Sequence, residues 1–480
     1  MRRYVRRRDP RRPGKPALVI GAGATGQALA MALRDGATDL SPVGFVDDEH
    51  EGPVCGLPVL GRTDEIMEIA GWTGARAALL ALTGLPQARA ALLAERAWAA
   101  GLAVRYLPPG RRSVRVDDLR ELRLSCLMGR DEVVMAGERA RRLVAGRRVL
   151  VTGVSGSIGS ALCRQIGRLD PAMLVLLDED GEGLDRVRGQ VSGPGRLDPD
   201  RVTAARADVR DRRGIQDVFE ATRPELVFHT AQQHCLAASE RRPAAAVRTN
   251  VLGTRHVVDA AVGHEADRMA LVSTDKAADP SSVLGATKRL SELVLQTAAG
   301  GRTRFAAVRC GDVIGSPGSL LSLLAAHLSR DEAMTITHPQ VARHFMTANE
   351  AAGLVLEATA LAEEAETFVL DMGEPVPVLD VVYRYAEQLR LPEVNVRFSG
   401  LGPGEKLAEK VFADGERRVR TAHRKIWASR PGPLPAELTQ LLELLSIAAD
   451  TDDDAEVRLL MRRILPEYHP ARYAGRGGKP

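Results

Sequence analysis

Twice in this chain a short apolar strand runs into a glycine-rich turn and then into a helix: PALVIGAGATGQALAMAL from Pro16 and RRVLVTGVSGSIGSALCRQIG from Arg147. Such a turn gathers backbone N–H groups at a helix start, where side chains would block an approaching anion. Apolar strands then recur in alternation with helical stretches: MLVLLDED from Met173, ELVFHTA from Glu225, MALVSTD from Met269 and RFAAVRCGDV from Arg304. That βα period predicts an α/β chain with two tandem Rossmann-like, doubly wound parallel-sheet domains.

The 480 residues suffice for about three folded units, or two with extensions. The expected boundaries are a basic disordered tail over 1–15 and a first Rossmann-like domain over 16–110. A charge-rich connector follows over 111–146. A second domain spans 147–470, its pattern loosening after about residue 315 into a C-terminal substrate-binding lobe, and 471–480 is a disordered tail. In the first domain, GLPVLG at 56–61 reads as a short strand.

Residues 1–16 hold eight basic residues and one acid within a formal net charge of +4, so the body of the chain is mildly acidic. Basicity confined to a tail argues against a nucleic-acid-binding core. The tail lacks an apolar signal core, and no run of about 18 apolar residues exists, so no membrane span is expected. Five scattered cysteines without a C-x-x-C pair predict neither a disulfide framework nor a metal site, and fit a reducing cytoplasm.

The second turn is G-x-x-G-x-x-G, with Gly153, Gly156 and Gly159, and with Ser157 and Ile158 between the last two. Asp178 ends the next strand, 19 residues after Gly159. A carboxylate there accepts from a ribose diol and repels a 2′-phosphate. No Arg follows in Asp178-Glu179-Asp180, so the expected cofactor is NAD rather than NADP. Asp208-Val209, closing a third strand, is placed to contact the adenine. The first turn, Gly21, Gly23 and Gly26 with Asp47-Asp48 beyond it, reads equally as a nucleotide site or as a vacant inherited fold. Ser273-Thr274-Asp275-Lys276 sets a hydroxyl, an acid and a base side by side at a strand end, and Lys288 follows 12 residues after Lys276. Beside a dinucleotide fold, that reads as catalytic apparatus.

With these motifs the chain resembles the polysaccharide-biosynthesis type of nucleoside-diphosphate-sugar 4,6-dehydratases, which are extended short-chain dehydrogenase/reductases. The likeness runs from residue 16 to about 470. It includes GAGATGQALA, PVGFVDD, LMGRDEV, VLVTGVSGSIGS, TNVLGT, STDKAADP, LGATKRLSEL, ITHPQVARHFMT, VLDMGEPV and PGEKL. Large members begin with membrane helices, so this chain reads as the cytoplasmic part alone. The resemblance implies oxidation of a sugar at C4, elimination of water across C5 and C6, and reduction at C6. It implies Asp275 as acid, Lys276 as base, Thr274 on the C4 oxygen and Lys288 on the nicotinamide ribose. That assignment needs a raised Asp275 pKa and a lowered Lys276 pKa. It implies a nucleotide-sugar substrate, a UDP-N-acetylhexosamine in the leading reading, met by His234, Asn250, Asp312, Arg343, Glu405 and Lys406. It also implies a homo-oligomer.

The departures fall on the substrate side. Leu284 stands where most short-chain reductases place Tyr, so C4 oxidation needs another proton acceptor, Asp275 or a water. The family's H-A-A-A-Y-K-H-V-P reads His229-Thr230-Ala231-Gln232-Gln233-His234-Cys235-Leu236-Ala237. Asp312 replaces Asn, and Gly402 replaces an Arg expected near the diphosphate. Arg309, Arg343 and Lys406 remain as candidate phosphate partners, and Cys235 reads as packing. The rival readings are a nucleotide-sugar epimerase and a nucleotide-binding protein without turnover.

Overall fold

A computed structural model describes residues 14–35, 38–81, 87–107, 114–133, 137–193, 195–316, 319–330, 332–389, 394–430 and 433–470. Of the tail read as disordered at 1–15, residues 1–13 lie outside the described residues, as do 471–480, but Lys15 already belongs to the first strand. The chain divides into two compact units. One comprises the chain up to Asp131 with Ile314–Met334 and Asp380–Arg397; the other comprises Glu132–Val313, Thr335–Leu379 and the chain from Phe398. The division falls inside the stretch read as a connector, and two late segments belong to the first unit.

In the first unit, β1 (Lys15–Ile20), β2 (Leu40–Val46), β3 (Ala77–Leu80), β4 (Ala103–Tyr106) and β5 (Arg120–Leu122) form one sheet in the order β2-β1-β3-β4-β5. The first four are parallel and β5 runs antiparallel. The expected strand in GLPVLG is not formed: Leu57 and Val59 make only isolated bridges, to Val54 and Phe45. The late segments dock on the Ala-rich helix Gln87–Ala99. Tyr385 donates its hydroxyl to Ala91 O at 3.0 Å, and Ser322 donates to Glu95 Oε1 at 2.6 Å.

In the second unit, β6 (Arg148–Thr152), β7 (Met173–Asp178), β8 (Val202–Arg206), β9 (Leu226–His229), β10 (Arg268–Thr274) and β11 (Arg304–Cys310) are parallel, in the order β11-β10-β9-β6-β7-β8. Ala365–Leu370 extends the sheet in parallel, and Ile426–Arg430 and Arg417–Arg420 close its edge antiparallel. The inner strands β6, β7, β9, β10 and β11 are buried on both faces, in keeping with their nearly continuous apolar runs, whereas β8 at the edge is only partly buried. Val149 and Val151 face a core shared with helix Ala348–Leu361. Leu150 faces the opposite core, shared with helices Leu438–Asp450 and Asp454–Ile464. The strand order reverses between β7-β6 and β9-β10. A doubly wound sheet opens its ligand crevice at that reversal, at the carboxyl ends of the strands. No helix among the described residues is long and apolar enough to cross a membrane.

Candidate functional site

The second glycine turn leaves β6 at this reversal. Gly153 has φ +71°, and a Cβ there would lie 2.4 Å from Ala231 N; at Gly159 it would lie 2.2 Å from Gly153 O. These two glycines let the turn close and let the helix Ser157–Ile166 pack on the strand end. At Gly156 a Cβ would meet only Gly153 O, at 3.3 Å, and would otherwise fill the open space beside the turn. Ser157 and Ile158 open the helix, where first-turn N–H groups lack intrahelical acceptors. A dinucleotide pyrophosphate fits that cradle.

Asp178 is buried at the end of β7. Its Oδ2 accepts from Ser155 N (2.8 Å) and Ser155 Oγ (2.7 Å), and its Oδ1 from Asp180 N (3.0 Å). It therefore braces the turn as well as presenting a carboxylate. Asp208 lies just beyond β8 and is paired with Arg210, Nη2 to Oδ2 2.6 Å. Burial works to raise its pKa, but the Arg210 hydrogen bonds outweigh that and hold it low. Arg210 also reaches Glu179 Oε2 at 3.1 Å, and Arg206 reaches Glu179 O at 3.2 Å. The neighbouring strand thus brings guanidinium groups beside Asp178-Glu179, a feature invisible in the local run of acids. The Val209 side chain is buried in the core against Gly253.

The first unit repeats this bracing. Gly21 has φ +100°, a Cβ on Gly26 would lie 1.9 Å from Gly21 O, and Asp47 Oδ2 accepts from Ala22 N at 2.7 Å. Burial opposes ionisation of Asp47, but hydrogen bonds from Ala22, Glu49 and His50 hold its pKa at about 2.

Lys288 lies on helix Val283–Thr297 and is buried. Its Nζ donates to Val272 O at 2.7 Å and to Gln232 Oε1, tying the ends of β9 and β10 together. Burial pulls its pKa down to about 7, against the raising influence of Glu292. Asn250 is engaged within the fold. It is 1% exposed; its Oδ1 accepts from Gln233 N (2.8 Å), and its Nδ2 donates to Gln233 O (3.2 Å) and Thr287 Oγ1 (2.9 Å). These bonds hold the loop after β9.

At the end of β10, Thr274 Oγ1 donates to Asp275 Oδ1 at 3.1 Å and lies 3.5 Å from Lys276 N, capping a short turn. Asp275 is 1% exposed. Lys276 Nζ lies 3.3 Å from Asp275 Oδ1 and 2.7 Å from Asp312 Oδ1. The required pKa shifts are both reversed here. Burial works to raise Asp275, but the Lys276 ammonium, then His344 and Thr274, hold it at about 2. Burial works to lower Lys276, but Asp275, Asp312 and Glu409 raise it above the ordinary lysine value. The resting site therefore holds a carboxylate and an ammonium. The lysine whose charge is weakened is Lys288. Glu409, buried and pushed up by its burial, is a further carboxyl in this electrostatic cluster.

The phosphate candidates separate. Arg309 is fully buried and bound to Glu292 (Nη2 to Oε2, 2.8 Å) and Glu416 (Nη1 to Oε2, 2.7 Å), so it belongs to the core. Arg343 lies 3.7 Å from Asp312 Oδ2, binds Glu405 Oε1 at 2.9 Å, and donates to Ala342 O, Lys406 O and Leu407 O. Lys406 Nζ binds Asp279 Oδ2 at 2.8 Å. His234 and Cys235 are exposed where the chain enters helix Leu236–Arg241. No described contact joins His234 to the Asp275 cluster, and Cys235 is not packing. The cysteine beside the site is Cys310, buried and paired in register with Thr274. His344, Glu409 and Gln232 carried no separate sequence signal, since each gains its meaning only from a neighbour distant in the chain.

Comparison with known proteins follows the same outline. Residues 149–431 match a family model described as polysaccharide biosynthesis protein. The chain is 32% identical over 414 residues to the "Probable polysaccharide biosynthesis protein EpsC" of Bacillus subtilis, covering 83% of this chain and 69% of that protein. It is 32% identical over 431 residues to the capsular polysaccharide biosynthesis protein CapD of Staphylococcus aureus, covering 87% and 72%. The solved structure of Pen from Bacillus thuringiensis superposes with a TM-score of 0.56 at 25% identity, covering 60% of this chain and 90% of that one.

Proposed function

This chain belongs to the polysaccharide biosynthesis protein family, and from that premise we propose that it is an NAD-dependent nucleotide-sugar 4,6-dehydratase acting on a UDP-N-acetylhexosamine. The observation that carries the reading is the Asp275–Lys276–Asp312 cluster at the end of β10, built around the buried Asp275 and joined to the dinucleotide crevice through Lys288, Val272 and Gln232. Gly153, Gly156 and Gly159 would hold NAD, which would supply the hydride chemistry at C4 and C6.

The residues account for the protons. Thr274 holds the C4 oxygen, and the Asp275 carboxylate takes the hydroxyl proton that Leu284 cannot. Neutralising Asp275 removes the largest influence that keeps Lys276 charged. Lys276 can then pass a proton to Asp312, 2.7 Å away, and stand as the amine that removes the C5 proton. Asp275 gives its proton to the departing C6 hydroxyl, which leaves as water. Lys276 returns a proton to C5, and Asp312 then gives back to Lys276 the proton it had taken. The sequence ends with a 4-keto-6-deoxy sugar and with every protein group restored.

A second reading is a nucleotide-sugar 4-epimerase. The raised pKa of Lys276 favours it, because that reaction needs Asp275 alone to exchange a proton with the C4 oxygen. Mass analysis of a nucleotide-sugar panel turned over in D₂O separates the two. Loss of one water with deuterium gained at C5 supports the dehydratase; conserved mass with a new isomer supports the epimerase. Bound NAD with no change in any sugar refutes both.

A further inference from the structure

The cluster leaves one buried carboxylate oxygen without a donor. Asp275 Oδ1 is answered by Thr274 and Lys276, but Oδ2 has no hydrogen-bond partner among the described residues. Facing it is His344 Nδ1, 3.5 Å away, which also lacks one. Asp275 is 1% and His344 7% exposed. Buried polar atoms are rarely left in this state in folded proteins. A pair of them, charged acceptor against ring nitrogen, points to a contact that tightens when the site is filled; hydrogen bonds of catalytic groups are often long before substrate binds.

The backbone aims the imidazole. His344 O accepts from Asp312 N at 2.8 Å, and Gly311 makes that approach possible, since a Cβ there would lie 2.1 Å from His344 O. The Asp312 that binds Lys276 and the His344 that faces Asp275 are thus fixed by one short backbone contact. Leu284 is apolar and buried, so the site gains no proton-handling hydroxyl from that position.

We propose that His344 is the positioning residue of Asp275: its Nδ1–H holds Oδ2, and so leaves Oδ1, beside Thr274 and Lys276, as the oxygen that exchanges the substrate proton. The role rests on the dehydratase reading for its place in the reaction, although the pairing itself does not. When C4 is oxidised, the hydroxyl proton moves to Oδ1, and the same proton later leaves with the C6 hydroxyl as water. His344 retains its own proton throughout. The proposal requires the Nδ1–H tautomer, with Nε2 unprotonated.

Two measurements on the full chain test this. Long-range ¹H–¹⁵N spectra of ¹⁵N-histidine-labelled protein, with the His344 signal assigned from His344→Phe, report which ring nitrogen carries the proton without any sugar. The expected result is Nδ1–H in the wild type and a shift toward Nε2–H in Asp275→Ala. A signal that ignores Asp275→Ala overturns the pairing. In turnover, His344→Phe is expected to lower kcat by about 100-fold with KM little changed. His344→Asn, whose side-chain amide keeps a donor near the Nδ1 position, is expected to recover most of that loss. Equal kcat in His344→Phe and wild type overturns the role, as does equal loss in both variants. A wild type that turns over no sugar defeats the dehydratase reading, and the spectra then decide the pairing by themselves.

Discussion

Replacing Arg309 by Met separates a structural cation from a substrate-binding one. Arg309 is fully buried and holds two carboxylates, Glu292 at 0% and Glu416 at 6% side-chain exposure, at 2.8 and 2.7 Å. Removing the guanidinium leaves both anions in the core, and breaking a buried pair in this way costs about 3–5 kcal/mol. Glu292 keeps Arg289 at 3.0 Å, which favours the lower end for that carboxylate. At about 2 °C per kcal/mol for a unit of this size, the melting temperature should fall by roughly 6–10 °C. The loss should depend on pH. Burial works to raise the Glu292 pKa, while Arg309, Arg289 and Ser273 hold it at about 2 against an ordinary 4.5. In the wild type this carboxylate therefore contributes stability above pH 4.5 that is lost as pH falls toward 2. Without Arg309 the burial remains and the folded pKa rises, so the variant's deficit should be largest near neutrality and shrink toward pH 5. Urea unfolding at pH 7 and pH 5 reads both. A deficit below about 1 kcal/mol, together with a raised KM for the nucleotide sugar, would show that Arg309 serves the phosphate and that the structural reasoning is wrong.

Three further outcomes are expected. Gly159→Ala, whose Cβ would sit 2.2 Å from Gly153 O, should weaken NAD binding by about 2 kcal/mol in a fluorescence titration, and unchanged affinity would contradict the cradle. Lys288 binds fewer protons folded, with a pKa of about 7, than unfolded at 10.5, so its penalty is complete below pH 7 and is relieved as pH rises toward 10.5. From pH 7 to 9 the wild type should gain up to about 2 kcal/mol relative to Lys288→Met, compared by urea unfolding at each pH. Asp312→Asn removes the carboxylate 2.7 Å from Lys276, and should slow water loss about 10- to 100-fold while C4 oxidation persists, so that reduced cofactor accumulates at 340 nm in a single turnover.

The parts of the site readable from sequence are those whose constraint is local. Gly153 and Gly159 are dictated by backbone atoms within a few residues or on the adjoining strand, and Asp178 by the end of β7. The βα alternation fixed the sheet because strands buried on both faces must be apolar throughout. Charge states were not readable in the same way. Asp275 and Lys276 are adjacent in sequence and each is the largest influence holding the other charged, with His344 and Asp312, from beyond the next strand, adding to that effect. Arg309 looks like a phosphate ligand in sequence because its carboxylate partners lie 17 residues before it and 107 after it. Arg206 and Arg210 reach the Asp178 end of the sheet from the strand beside it, and no spacing rule along one strand could anticipate them. The contacts of the Asn250 amide with Gln233 and Thr287 were likewise not legible, since those partners lie 17 residues before it and 37 after it.

The most direct test of the account is turnover of UDP-N-acetylglucosamine carrying deuterium at C4, with the product examined by mass spectrometry and NMR. The account predicts a product lighter by one water, with the deuterium moved to C6 and the bound cofactor unchanged. A product of unchanged mass with the label still at C4 would contradict the dehydratase, and reassign Asp275 to proton exchange at C4 alone.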